Sequence, residues 1–296
     1  VIVNDFPSLL WRTSRGETDL TSAEGDGWSW WAAPGIDGLD APTVRTWDGA
    51  TALADGGLWV GARLSARDVF VPVTIDADGF EARQRARRAL LRAFLPEGRP
   101  TEGELVVRAA SGATRTLTRV RFMSGIDSPD AGPGLHAVGI HLRAYDPLLY
   151  GDPEQVVFGV ADLPFFPGPP FRLTPESVAD ALTVDIPGEL PVWPVWTITG
   201  PLASFTVANG AGAEWGLPGP LTAGQGVRVR TDPRTVLAQR VTDVATGANL
   251  WPSFAGSGLP ALFPFPPGRS SVAVSVGAAT TATKVALEWR PAYLSW

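Results

Sequence analysis

The chain has 296 residues, 45% of them hydrophobic and 18% charged, with a formal net charge of -6 and no cysteine. That length suggests two domains and leaves room for a real core, and the composition is globular rather than disordered. The missing cysteines exclude disulfides, thiol catalysis and cysteine-held metal clusters, and the acidic balance argues against a general nucleic-acid-binding role.

No apolar run approaches the roughly 18–20 residues of a membrane span, and no basic, then apolar leader precedes Val1, so membrane insertion is not expected. Lys284 is the only lysine and the remaining base is arginine, which reads as genome composition before it reads as function.

Residues 1–11 form a short apolar start, a strand or an arm. Residues 13–26 are polar and turn-rich. Trp28 and Trp30 share a face if this segment is extended. A glycine loop, Gly35-Ile36-Asp37-Gly38-Leu39-Asp40-Ala41-Pro42, precedes a short strand at 43–47, closed by the hairpin signal Asp48-Gly49. Residues 58–75 are largely strand material.

The one convincing helix is expected at about 79–95, with Asp78 placed to cap it and Pro96 and Gly98 to stop it. On a helical wheel Phe80, Leu90, Leu91, Phe94 and Leu95 share one broad face, beside a smooth stripe of Ala82, Ala86, Ala89 and Ala93. Arg85, Arg88 and Arg92 lie on the polar side, whereas Arg83 and Arg87 fall within the apolar face. Strands follow at 104–108 and 114–122, and a further strand at 135–145 closes at Asp146-Pro147. This half reads as α+β, a β-rich domain with one helix.

A proline-dense linker or arm occupies residues 151–183, including Asp162-Leu163-Pro164-Phe165-Phe166-Pro167-Gly168-Pro169-Pro170-Phe171. The chain's two characters meet at residues 185–201. Pro187-Gly188 is a turn signal, and Pro191 and Pro194 mark an edge or a crossing point, because proline cannot donate to a ladder. Val195, Thr197 and Thr199 then alternate with Trp196 and Ile198, the period of a half-buried strand. Short apolar runs at 204–208, 226–230, 236–241, 271–276 and 284–289 point to an antiparallel sandwich without helices over 184–296. The fold class expected is therefore mainly β, with domains at 1–150 and 184–296.

The chemistry-bearing residues are few. His136 and His141, the only histidines, lie five apart on one predicted strand and so face opposite ways, which disfavours a joint metal site. A Ser/His/Asp hydrolase needs an unrelated serine to converge on one of them, and no Gly-x-Ser-x-Gly turn supports it. Asp76-x-Asp78-Gly79 resembles the start of a calcium loop, but Arg87 stands where the closing glutamate belongs. Gly210-Ala211-Gly212 reads as a β-turn rather than a dinucleotide fingerprint, since no helix follows. No catalytic residue, metal or cofactor is expected. The arginine helix is a solvated side, a phosphate-binding face or a subunit contact. Arg83 and Arg87 either snorkel or meet carboxylates of another copy, with Arg85, Arg88 and Arg92 beside them. Of the 12 tryptophans, Trp193 and Trp196 beside the prolines are the candidates for an interdomain or partner contact.

Taken in order, these segments resemble the distal tail proteins of long-tailed bacteriophages over nearly the whole chain. The resemblance lies in the glycine loop at 35–42, the strand Arg67-Asp68-Val69-Phe70-Val71-Pro72-Val73-Thr74-Ile75 with the arginine helix after it, and Arg143-Ala144-Tyr145-Asp146-Pro147 at the end of the first half. It continues through residues 185–201, 226–232, 265–269 and 289–294. Ile186 departs from the family's usual asparagine, and the proline stretch is longer than a plain connection.

The resemblance implies a non-enzymatic structural protein of the virion tail tip, assembled in the bacterial host cytoplasm. The front half would form a ring, a homohexamer, around the tail channel. The back half would be a galectin-like sandwich offering a platform. Partners implied are further copies of itself, the tail tube protein, the tail-tip hub and receptor-binding or fibre proteins. Phage DNA would pass through an acidic bore without specific binding. The alternative reading is a carbohydrate-binding module that contacts host cell-surface glycans through exposed tryptophans.

Overall fold

The longest apolar alternation, in residues 67–77, explains the centre of the first half. Val69, Val71, Val73 and Ile75 are fully buried while Asp68, Phe70 and Thr74 point the other way, as a strand covered on one face requires. The structure is a computed structural model, and it describes residues 7–50, 55–127, 135–159, 178–255 and 261–296. Residues 1–6, part of the loop expected at 125–134 and the proline stretch at 162–171 lie outside them.

The chain divides into two units, Val1–Asp152 with Tyr293–Trp296, and Pro153–Ala292. The strands of the first unit are β1 (Ser8–Thr13), β2 (Gly16–Asp19), β3 (Ser22–Gly25), β4 (Trp28–Ala32), β5 (Val44–Ala50), β6 (Gly57–Leu64) and β7 (Arg67–Ala77). Helix α1 (Phe80–Phe94) follows, then β8 (Glu102–Arg108), β9 (Thr114–Gly125), β10 (His136–Ala144) and β11 (Leu149–Tyr150). The large sheet runs β2-β1-β8-β9-β10-β7-β4-β3, with β11 against β9, and the pairings along it are antiparallel. Helix α1 packs on β7 and β4. Phe94 lies 5.0 Å from the ring of Trp11 and 5.2 Å from that of Phe122, and Trp11 Nε1 donates to the Ala93 carbonyl at 3.0 Å.

Three local expectations are corrected. The buried face of α1 is Ala82, Arg83, Ala86, Leu90 and Phe94. Phe80 is 60% exposed, because the small alanines bring the helix close to the sheet and turn its first residue outward. The helix starts at Gly79 with φ 121 and no side-chain cap, so Asp78 does not cap it; its N–H donates to Gly27 instead. Asp48-Gly49 is not a hairpin end. The strand runs on to Ala50, with a bulge between Trp47 and Asp48 absorbing the extra residue.

The second unit holds β12 (Glu154–Gly159), β13 (Val178–Ile186), β14 (Val195–Thr199), β15 (Ser204–Asn209), β16 (Glu214–Gly216), β17 (Gly226–Arg230), α2 (Leu237–Arg240), β18 (Val241–Asp243), α3 (Trp251–Phe254), β19 (Gly268–Gly277) and β20 (Lys284–Trp289). One sheet runs β12-β20-β14-β17-β18 and the other β13-β19-β15-β16. Residues 187–194 carry the chain from the second of these sheets to the first, the crossing that the prolines required. The sheets meet across an aromatic core in which Trp196 lies 6.1 Å from Phe205, 5.8 Å from Trp215 and 6.3 Å from Phe265. Two short helices stand where none was expected. Residues 237–240, read as strand from their apolar content, form α2 because Val236 and Leu237 face solvent and only Val241 enters the core. The entering strand β12 pairs with β20, Glu154 opposite Trp289, so the chain enters and leaves this unit side by side.

Candidate functional site

The most exposed apolar element is the two-stranded ribbon of β5 and β6, which stands apart from the other sheets. Val44 pairs with Leu64, Trp47 with Gly61 and Asp48 with Trp59. Consecutive residues of β6 point to opposite faces, yet Leu58, Trp59 and Val60 are each 65–67% exposed, so both faces present apolar surface to solvent. Arg45 lies 5.3 Å over the Trp47 ring. A lone two-stranded hairpin is marginal in water, and contiguous apolar exposure of this kind marks an interaction surface. The composition of 58–64 gave strand but not exposure. The signal available was the unbroken apolar run Leu58-Trp59-Val60, which puts apolar side chains on both faces of one strand.

Next to this ribbon in sequence, the glycine loop is fixed by Arg67, which is 2% exposed. Its Nε donates to the Pro147 carbonyl at 2.9 Å and its Nη1 to the Gly38 carbonyl at 3.0 Å. Nη1 also donates to the Asp40 carbonyl, and Nη2 to the Leu294 carbonyl at 2.7 Å. Burial lowers the pKa of Arg67, but arginine begins so far above neutrality that it stays charged. Gly38 has φ 85, and a Cβ there would sit 2.0 Å from the Asp68 carbonyl oxygen, so only glycine lets the loop lie against β7.

The arginines of α1 divide. Arg83 is buried within the unit, and Arg87 donates from Nε and Nη2 to the Ile126 carbonyl at 3.2 and 3.1 Å. Both residues offered as subunit contacts thus have places within their own unit. Arg85 reaches the Asp26 carbonyl at 3.0 Å and its carboxylate at 3.6 Å, while Arg88 and Arg92 are exposed. Trp196, offered as a partner contact, is 1% exposed at the centre of the second unit's core, and Trp193 is half-buried. Trp215, Trp251 and Trp289 are buried as well. Among the described residues the second unit therefore offers sugar stacking only the partly open face of Trp193. Among the described residues the exposed indoles are those of Trp31, Trp47, Trp59 and Trp296, and the most exposed, Trp59, is on the ribbon.

His136 is buried and His141 exposed, on opposite faces as the spacing required. His141 lies over Phe70 at 4.8 Å, in an open groove of about 730 Å³ that also holds Asp68, Ser124 and Arg143. Ser124 stands opposite His141 across the β9–β10 ladder, but no hydrogen bond joins them among the described residues. The Asp68 carboxylate is taken by Arg143, at 2.6 and 2.9 Å. This hydrogen bond, with burial opposing it, lowers the pKa of Asp68. The groove thus has a serine and a histidine side by side without the relay of hydrogen bonds that nucleophilic catalysis needs. Among the described residues no cluster of three metal-binding side chains occurs, and no helix is long and apolar enough to cross a membrane.

No family model matches the sequence, and no curated protein matches it. Solved structures share the fold. The structure of the phage P2 baseplate in its activated conformation with calcium contains a chain matching at TM-score 0.52 and 8% identity, over 96% of this chain and 98% of that one. The corresponding strontium structure matches at TM-score 0.51 and 9% identity, over 95% and 97%. The Dit protein of phage SPP1, described as a paradigm of the hub adsorption apparatus in phages infecting Gram-positive hosts, matches at TM-score 0.64 and 16% identity, over 97% of this chain and 98% of that one. Across both units, then, the chain has the fold of a phage tail hub protein.

Proposed function

We propose that the chain is a structural protein of a long-tailed phage tail tip, forming a ring that joins the tail tube to the baseplate and offers docking surfaces for host-recognition proteins. The observation that carries this reading is the fold shared with the SPP1 hub protein over nearly the full length of both chains. A fold match confined to one unit would fit many functions, whereas one that covers both units points to the same kind of part.

The ribbon supplies a means of association. Its apolar residues on both faces need covering, and a neighbouring copy in a closed head-to-tail ring covers each ribbon once. A hexamer is the ring that the resemblance implies. Arg88 and Arg92, exposed on α1, are the helix arginines best placed to meet carboxylates of that neighbour. The second unit then faces the fibre or receptor-binding proteins, and DNA passes the ring without specific contact.

Negative-stain imaging of the purified protein, alone and mixed with the tail tube protein, tests this. Rings of uniform diameter with six-fold averages are expected. Single particles in both preparations, at concentrations where the tube protein itself assembles, overturn it.

A further inference from the structure

In the second unit Arg228 and Arg230 lie two apart on β17. Val227 and Val229 between and beside them enter the core, so both arginines leave the opposite face of the same strand. With Gln239, Thr242 and Asp243 they line an open pocket of about 360 Å³, room for one small polar group rather than a polymer. Each arginine is half-buried and its guanidinium is held at one edge. Arg228 Nε lies 3.4 Å from the Thr197 hydroxyl, and Arg230 Nη1 donates to the Gln239 carbonyl at 2.8 Å. Among the described residues no further side-chain hydrogen bond engages either fork.

Of the neighbouring arginines in this unit, Arg234 pairs with Asp232, and Arg240 donates to the Pro233 and Thr235 carbonyls and lies over the Trp251 ring. Among the described residues no carboxylate lies within ion-pair distance of Arg228 or Arg230. Burial, and after it the charge of Arg228, lowers the pKa of Arg230, so the fold holds two like charges together at a cost. Asp243 shares the pocket wall, but its Oδ1 accepts from the N–H groups of Ala245 and Thr246 and from the Thr246 hydroxyl, at 3.0, 2.7 and 2.8 Å. It holds its own turn rather than either arginine.

We propose that this pocket binds a single monoanionic oxyanion group, a phosphodiester or a carboxylate, between the guanidinium forks of Arg228 and Arg230. Forked donors match two oxygens of one such group, and two arginines against one aspartate leave a single positive charge to be met.

The test is an NMR titration of the arginine Nε–H resonances of the full chain at fixed ionic strength. The probes are dimethyl phosphate, glucuronate and, as a neutral control, glucose. Saturable shifts of Arg228 and Arg230 with dimethyl phosphate, with glucuronate or with both are expected, and the tighter probe identifies the source. R228Q and R230Q should each weaken binding about tenfold, the scale of one charge-assisted contact, while R234Q leaves it unchanged. Asp243→Asn, which keeps the turn and both arginines, should tighten binding several-fold. It keeps the idea testable if an arginine variant fails to fold. No saturable shift with either anion up to about 50 mM, or equal binding by R228Q and the wild type, overturns the proposal.

Discussion

Arg67 Nη2 and the Leu294 carbonyl form a 2.7 Å hydrogen bond across 227 positions of sequence. Because the same guanidinium holds Pro147, Gly38 and Asp40, its loss takes one shared donor from four carbonyls. Arg67→Met should cost about 2–3 kcal/mol, the scale of lost hydrogen bonds from a charged donor, read from urea unfolding. Arg67→Lys should recover only part of that, since an ammonium cannot reproduce the fork. Amide exchange at residues 36–40 and 293–296 should rise together in both variants; protection lost at one segment alone would contradict a shared anchor.

Gly38→Ala combines a positive φ with an overlap against the Asp68 carbonyl. A loss of about 2 kcal/mol or more is expected. Thermal unfolding of the variant beside Gly56→Ala, where φ is 101 but a Cβ has open space, separates the two causes: the overlap predicts the larger loss at Gly38.

Trp196→Ala should cost about 3–5 kcal/mol as a core truncation and leave association unchanged at temperatures where the variant is folded. Light scattering checks this. A folded variant that loses its partner contacts would restore Trp196 to the interface.

Replacing Leu58 and Trp59 together by serine should do the reverse. Stability of the separated chain should move by no more than about 0.5 kcal/mol, the usual range for surface sites, while ring formation is lost. Unchanged rings in electron micrographs of this variant would show that the ribbon isn't the joining element.

The Asp68–Arg143 pair gives a pH signature. The pKa of Asp68 is lowered, first by the hydrogen bond from Arg143. Its contribution is therefore fully present above the ordinary aspartate value near 4 and disappears as pH falls through the lowered one. Both groups are exposed, so the effect should be small and salt-sensitive. Urea midpoints of Asp68→Asn should fall below the wild type at neutral pH and converge with it in acid. A gap that persists in acid would mean the carboxylate's charge isn't the cause.

Much of the fold was legible because it rests on period. The alternation through Val69, Val71, Val73 and Ile75, and through Trp196 and Ile198, marks strands that bury one face. The same alternation separates His136 from His141. What period cannot show is which neighbour covers a face. Leu58, Trp59 and Val60 look like core in sequence and stand in solvent. Arg83 looks misplaced on an apolar face and lies inside, where a helix close to a sheet leaves it no route out. Asp48-Gly49 carries the composition of a hairpin, but the pairing of β5 with β6 continues past it, so a bulge forms where a turn was expected. Arg228 and Arg230 appear in sequence as a plain alternating strand. Their lack of a counter-charge is a fact about distant segments that only the folded chain brings near.

The placement of Leu294 also orders events in time. A ribosome delivers every residue of the second module before it releases the last acceptor that Arg67 needs. Since domains fold as they emerge, the module encoded later can mature while the one encoded first still waits for its final strap. An arrested nascent chain ending before position 293 would carry a finished insert inside an unfinished host.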